Sequence, residues 1–252
     1  MDRGEALFEY VLRLGDNALV LGHRLSEWVG HAPALEEEMA TANVALDLIG
    51  QARSWLAYAG EVEGRGRDED ALAYHRDVLD FHNALLVELP NGHYGDTITR
   101  QLFFDAFHYH QLEALSRSAD DRIAEIAAKS LKEVGYHLRR SGEWLVRLGD
   151  GTEESHERVQ QSVDDLWMYT GELFAMDDVD RLLLAEGVGA DLEAIHGRWD
   201  EHVSAVLREA TLTRPEDGWM QSGGKQGSHS EHLGYILAEM QFLPRAHPDA
   251  RW

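Results

Sequence analysis

KEVGYHLRRSGEWL, residues 132–145, sets an acid and a histidine one helical turn apart. Helical bundles that hold a di-iron centre place Glu-x-x-His pairs on two helices and a single Glu on each of the other two. The i, i+3 spacing puts both ligands of a pair on one face. Here the spacing is Glu133-x-x-x-His137, one residue too long. His137 would need an acid at 134 and Glu133 a histidine at 136, but those positions hold Val134 and Tyr136. At about 100° per residue, Leu131, Val134, Leu138, Gly142 and Leu145 gather into one stripe that should face a core. Glu133, His137, Arg140 and Trp144 form a second stripe beside it, suited to surface pairing or to a protein contact. The stretch predicts a long amphipathic helix carrying a remnant of metal-binding architecture.

The same period runs through the rest of the chain. It predicts helices near 4–29, 35–60, 68–88, 96–118, 120–148, 154–175, 191–210 and 230–242, with a short extra turn near 177–186. Prolines stand only at 33, 90, 215, 244 and 248, each near a boundary. The loops carry turn residues: GHAP at 30–33, EGRGR at 63–67, LPNGHYG at 89–95, LGDG at 148–151 and QSGGKQGS at 221–228. No run alternates as a strand would, and no internal repeat marks a solenoid. The expected architecture is all-α, a ferritin-like helical bundle with additional C-terminal helices, forming a single domain over residues 1–252.

Other helices offer partial ligand sets. In NVALDLIGQARSWL, residues 43–56, Asp47 has Gly50 where a histidine would be needed. In FFDAFHYHQLEAL, residues 103–115, Asp105-x-x-His108 has the right spacing and is the sharpest metal-like signal. Its companions on the first helix are Asp16, His23 and Glu27. With 14 histidines in the chain, chance pairs are expected, and a hydrogen-bonded structural histidine is the more ordinary reading. In SGGKQGSHSEH, residues 222–232, Gly218 and Gly223 have P-loop separation, but Gly224 occupies the lysine position and no strand precedes. His229, Glu231 and His232 sit where a helix begins, with Ser228 or Ser230 placed to cap it, and capping outweighs a zinc reading. Lys225 is a lone cation for any phosphate, and no G-x-S-x-G elbow supports acyl transfer.

Composition narrows the class. The 252 residues are 44% hydrophobic, enough for a sizeable core. A net charge of −23, from 46 acids against 23 bases, argues against nucleic acid and anionic membranes as partners. With no cysteine, thiolate zinc sites, disulfides and cysteine nucleophiles are excluded. The opening MDRGEALFEYVLRLGD lacks a secretion signal, and no apolar run approaches the roughly 20 residues of a membrane span. The expectation is a soluble, cytoplasmic protein.

Several long blocks in fixed order carry a resemblance. They are LRLGDNALVLGHRLSEWVGHAP at 12–33, NVALDLIGQARSWL at 43–56, VELPNGHYGDTITRQLFFDAF at 87–107, KEVGYHLRRSGEWLVRLGDGT at 132–152 and GGKQGSHSEHLGYILAEMQFLPRAHPDARW at 223–252. The sequence resembles the C-subunit family of the bacterial phenylacetyl-CoA epoxidases, multicomponent oxygenases of phenylacetate degradation. The resemblance implies a non-catalytic, ferritin-like subunit that pairs with a homologous catalytic A subunit. The di-iron centre belongs to that A subunit, and a reductase subunit delivers electrons from NADPH. It implies no catalytic, cofactor-binding or metal-ligating residue in this chain, and leaves room for a homodimer when the chain is alone. Trp28, Trp55, Trp144, Trp167 and Trp199 are the candidate interface anchors. Two rivals stand beside it. One is an active metalloprotein with an atypical centre of Asp47, Asp105, His108, Glu133 and His137; the other is a helical interaction protein unrelated to oxygenases.

Overall fold

The computed structural model describes residues 2–248 and 250 and contains no strand among them. Its helices are α1 (Arg3–Ser26), α2 (Leu35–Glu63), α3 (Glu69–Tyr74), α4 (Leu85–Glu88), α5 (Tyr94–Leu115), α6 (Asp121–Gly149), α7 (Glu153–Trp167), α8 (Asp178–Ala185), α9 (Leu192–Glu209), α10 (Glu231–Met240) and α11 (Phe242–Ala246). The fold is all-α, of the ferritin-like helical-bundle class, with additional C-terminal helices.

Local chemistry sets most helix starts. Asp2 and Glu5 exchange backbone and side-chain hydrogen bonds at the head of α1. Asp120 accepts from the Ile123 N–H at α6, Asp191 from Ala194 at α9, and Ser230 from His232 at α10. Each satisfies an N–H that a helix leaves without an internal acceptor. Of the two serines placed to cap the last helix pair, Ser230 is the one used.

The chain divides into two compact units, one of residues 1–90 and 223–252, the other of 91–222. In the first, α1 and α2 pack as antiparallel neighbours: Gly15 lies against Trp55 and Leu56, and Gly22 against Ala45, Leu48 and Ile49. A Cβ on Gly15 would come within 2.7 Å of Leu56, so this close crossing needs glycine. In the second, α5 and α6 form the central pair, with α7 and α9 packed on α5. Its core is aromatic: the Phe103 ring lies 5.5 Å from Trp167 and 5.9 Å from Trp199, whose indole N–H donates to the Phe103 carbonyl at 2.8 Å.

The largest departure from the helical period falls over 68–88. Instead of one helix, α3 stops at Tyr74, a 3-10 turn covers Val78–Asp80, and α4 is a single turn. The reason is tertiary. The His82 N–H donates to Asp16 and the Ala84 N–H to Asn17, both on α1, so side chains of another helix take donors that a helix here would have used itself. The helix expected over 154–175 stops at Trp167 for a similar cause, because the Met168 carbonyl accepts from the Gln221 N–H. The turn near 177–186 is a full helix, α8, started by a capping box between Asp177 and Asp180.

Candidate functional site

α5 and α6 bring a polar cluster into the core of the second unit. Asp105, His108 and His137 are all buried. The Asp105 carboxylate accepts from the Ser141 hydroxyl at 2.8 Å and weakly from Gln101 at 3.4 Å. Burial raises the Asp105 carboxyl to about 6, against the opposing pull of His137, Ser141 and Arg140. Burial, with the neighbouring His137, lowers His108 to about 3, which keeps it neutral. The sequence stripe placed His137 beside the core, and the structure corrects this: His137 is 1% exposed. Across the helix pair, Asp105 accepts from Ser141 and feels His137, and these two share the buried face of α6 with Ser130, Val134 and Leu138. Glu133 stays half-buried. Arg140 and Trp144 are half-buried and reach α5: Arg140 donates to the Tyr94 hydroxyl at 3.1 Å, and Trp144 meets the Tyr94 ring edge-on at 5.4 Å.

The first unit holds two buried ion pairs. Asp16 on α1 is fully buried and binds the Arg76 guanidinium through both oxygens, one contact at 2.9 Å, while the His82 N–H donates to it as well. Arg76 also donates to the Asp80 carbonyl and lies 4.1 Å over the Phe81 ring. The second pair is Glu88 with His229 at 2.8 Å. Glu88 further accepts from the Ser230 N–H at 2.6 Å and the Asn83 amide at 2.9 Å. His229 faces an oxygen from each ring nitrogen, Glu88 from Nδ1 and the Phe81 carbonyl from Nε2, an arrangement that favours the doubly protonated ring. Burial works against that charge, but the two hydrogen bonds and the Glu88 and Asp16 charges outweigh it and raise the His229 pKa. The glycine-rich segment is a structural strap. A Cβ on Gly224 would come within 2.2 Å of the Asn83 carbonyl, and Gly227, at φ +78°, lies against Leu79. His82 donates to the Lys225 carbonyl at 3.0 Å.

A carboxylate-bridged di-iron centre needs four carboxylates and two histidines from four helices. On α2 the inward pair is not Asp47 and Gly50. Asp47 is half-buried and Gly50 exposed, whereas Leu48 and Gln51 are buried with the same i, i+3 spacing. On α6 the inward pair is Val134 and His137. An aliphatic side chain stands where each of these helices would offer its glutamate. Asp16, the buried acid of α1, is already neutralised by Arg76. Among the described residues no group of three or more His, Asp or Glu is arranged to hold a metal. The residues present do not fit a di-iron centre. The remaining sequence candidates are local: His23 is half-buried, and burial lowers its pKa, while Glu27 pairs with Arg24 at 2.8 Å. Trp55, Trp167 and Trp199 are buried in the cores rather than offered as anchors, because large rings fill the space between helices; Trp28 and Trp144 are half-buried.

No helix among the described residues is long and apolar enough to cross a membrane. The model of the family described as phenylacetic acid catabolic protein matches residues 1–252. The chain is similar to the C subunit of the 1,2-phenylacetyl-CoA epoxidase of Escherichia coli (strain K12), with 50% identity over 246 residues, covering 98% of this chain and 99% of that one. The chain belongs to the phenylacetic acid catabolic protein family.

Proposed function

We propose that this member of the family is the non-catalytic structural subunit of a phenylacetyl-CoA 1,2-epoxidase. In this reading it is a single ferritin-like domain that pairs with a homologous catalytic A subunit, which holds the di-iron centre. A reductase supplies that subunit with electrons from NADPH. The observation that carries the reading is the Asp16–Arg76 pair. A carboxylate sealed in a helical core needs a counter-charge, and in a ferritin-like centre a metal ion provides it. Here the chain supplies that charge itself, from a residue 60 positions away. Leu48 and Val134 stand in place of acids on α2 and α6, and Asp105, the buried acid facing α6, is pushed toward its neutral form by burial instead of being held ionised by a metal. Such a bundle is stable without a cofactor, and what remains for it to do is hold a partner.

The test is co-expression with the A-type subunit, separation of the two chains, and metal quantification on each. The expected result is a stable complex with iron in the partner and substoichiometric iron or manganese in this chain. About two metal ions bound per copy of this chain would overturn the reading and favour the atypical metalloprotein. Separate elution of the two subunits would favour an unrelated interaction protein.

A further inference from the structure

Within the second unit, α5, α6 and α9 line a groove of about 630 Å³, a volume in the range of small-molecule pockets. On α6 it is lined by Gly135, Leu138, Gly142 and Val146, which share one face of the helix. Glycine inside a 29-residue helix costs stability relative to alanine. Packing does not require it at these two positions. A Cβ on Gly135 would meet Tyr109 at 3.6 Å and one on Gly142 would meet Val206 at 3.8 Å, both ordinary contacts. Gly149 on the same helix is different, because a Cβ there would come within 2.4 Å of the Ala210 carbonyl. What Gly135 and Gly142 do is keep the groove open.

One end of the groove is polar. His110 lines it and is 8% exposed, and among the described residues neither of its ring nitrogens has a hydrogen-bond partner. Burial, with Arg198 and His202 nearby, lowers its pKa to about 4, so the ring is neutral and offers one N–H. A buried donor left unpaired is destabilising until something enters to satisfy it. His202 meets the same ring edge-on at 6.4 Å. Arg139 stands at this end and Arg147 further along. Among the described residues neither guanidinium is paired with a carboxylate, although the chain has 46 acids to 23 bases; they lie beside Tyr136 and Trp144 instead. Two unpaired guanidiniums disfavour a cationic ligand, and Glu143 and Glu209 at the groove disfavour a dianionic phosphate. A monoanion with an apolar body suits both sets of charges.

We propose that this groove binds a small carboxylic acid with an elongated apolar body. The carboxylate accepts from the His110 N–H and the Arg139 guanidinium, and the body lies over Gly142 toward Val146 and Val206. This goes beyond the subunit reading and does not depend on it. The test is calorimetric titration of the full chain with decanoate below its micelle concentration. Decyltrimethylammonium serves as a similar body with a cationic head. The expected result is one sub-millimolar site for decanoate and none for the ammonium, with the His110 and His202 ring signals shifting in NMR spectra. Gly142→Leu fills the groove and should abolish binding while keeping the wild-type circular dichroism. Arg139→Gln should weaken decanoate about tenfold, the loss of one charge-assisted hydrogen bond. Arg139 is exposed, so its variant tests the groove independently of any effect of Gly142→Leu on folding. Absence of saturable decanoate binding, or equal binding of the ammonium, overturns the proposal. Wild-type affinity in Gly142→Leu overturns it by placing the ligand elsewhere, and wild-type affinity in Arg139→Gln overturns it by removing the head contact.

Discussion

Asp16 and Glu88 in the first unit and Asp105 in the second are buried in opposite ways. In the first, Asp16 meets Arg76 and Glu88 meets His229, and each carboxylate also accepts from backbone N–H groups. In the second, Asp105 has a hydroxyl, a distant amide and the pull of His137 and Arg140, which together do not outweigh burial. The result is a carboxyl raised to about 6. A cationic partner in direct contact offsets the desolvation of a buried carboxylate, whereas Asp105, without such a contact, is pushed toward its protonated form. Paired acids in the first unit tie loops onto helices. The under-compensated acid in the second ties down little and costs stability at neutral pH.

Breaking the first arrangement should have the largest effect. Arg76→Met leaves Asp16 charged and unpaired in the core and should destabilise by about 3–5 kcal/mol, measured by urea unfolding at pH 7. Adding Asp16→Asn to that variant should recover a good part of the loss; no recovery would mean that Arg76 acts through its contacts to Phe81 and Asp80 instead.

In the second unit the sign reverses. The folded pKa of Asp105 lies above its unfolded value of 3.8, so the native state holds the proton more tightly. Its penalty is absent below about pH 4, grows as pH rises through about 6, and is complete above that. Asp105→Asn should therefore stabilise the protein at pH 8, by at most about 3 kcal/mol at about 1.4 kcal/mol per pKa unit. It should also flatten the Tm profile between pH 4 and 6, and an unchanged profile would remove the contrast between the units.

His229 tests the first unit by pH. Its raised folded pKa means that its stabilisation is fully present below its ordinary value of 6.5 and is lost as pH rises through the folded value. His229→Gln should lower stability by about 2 kcal/mol near pH 6, since the hydrogen bond to a charged acceptor is weakened. It should also abolish the alkaline part of the decline, as seen in hydrogen exchange of residues 223–232.

Ser141→Ala should have the smallest effect, about 1 kcal/mol. By removing the shortest hydrogen bond to Asp105, it should move the titration of that carboxyl further upward, readable by NMR. A downward move would show that Gln101 or His137 dominates there.

Much of this was legible in the residues. The cap at Ser230 and the period of α6 mark a helix start and a helix face, because both follow from contacts within a few residues. The missing acid at 134 was also visible, since α6 has one strongly apolar stripe around which to set the register. On α2 the reading slipped by one residue, to Asp47 and Gly50 instead of Leu48 and Gln51. Apolar side chains occupy both faces of that helix, so periodicity cannot say which is inside.

By itself, the sequence determined the helical class, the approximate helix spans and membership of a family whose long blocks it shares, because these depend on neighbours along the chain. Only the tertiary structure decided which buried acids have counter-ions, why 75–88 is not a continuous helix, and that His137 is inside. Asp16 and Arg76 lie 60 residues apart, and Glu88 and His229 141 apart. Whether a charge in a core is paired depends on what folding brings beside it, and no local pattern records that.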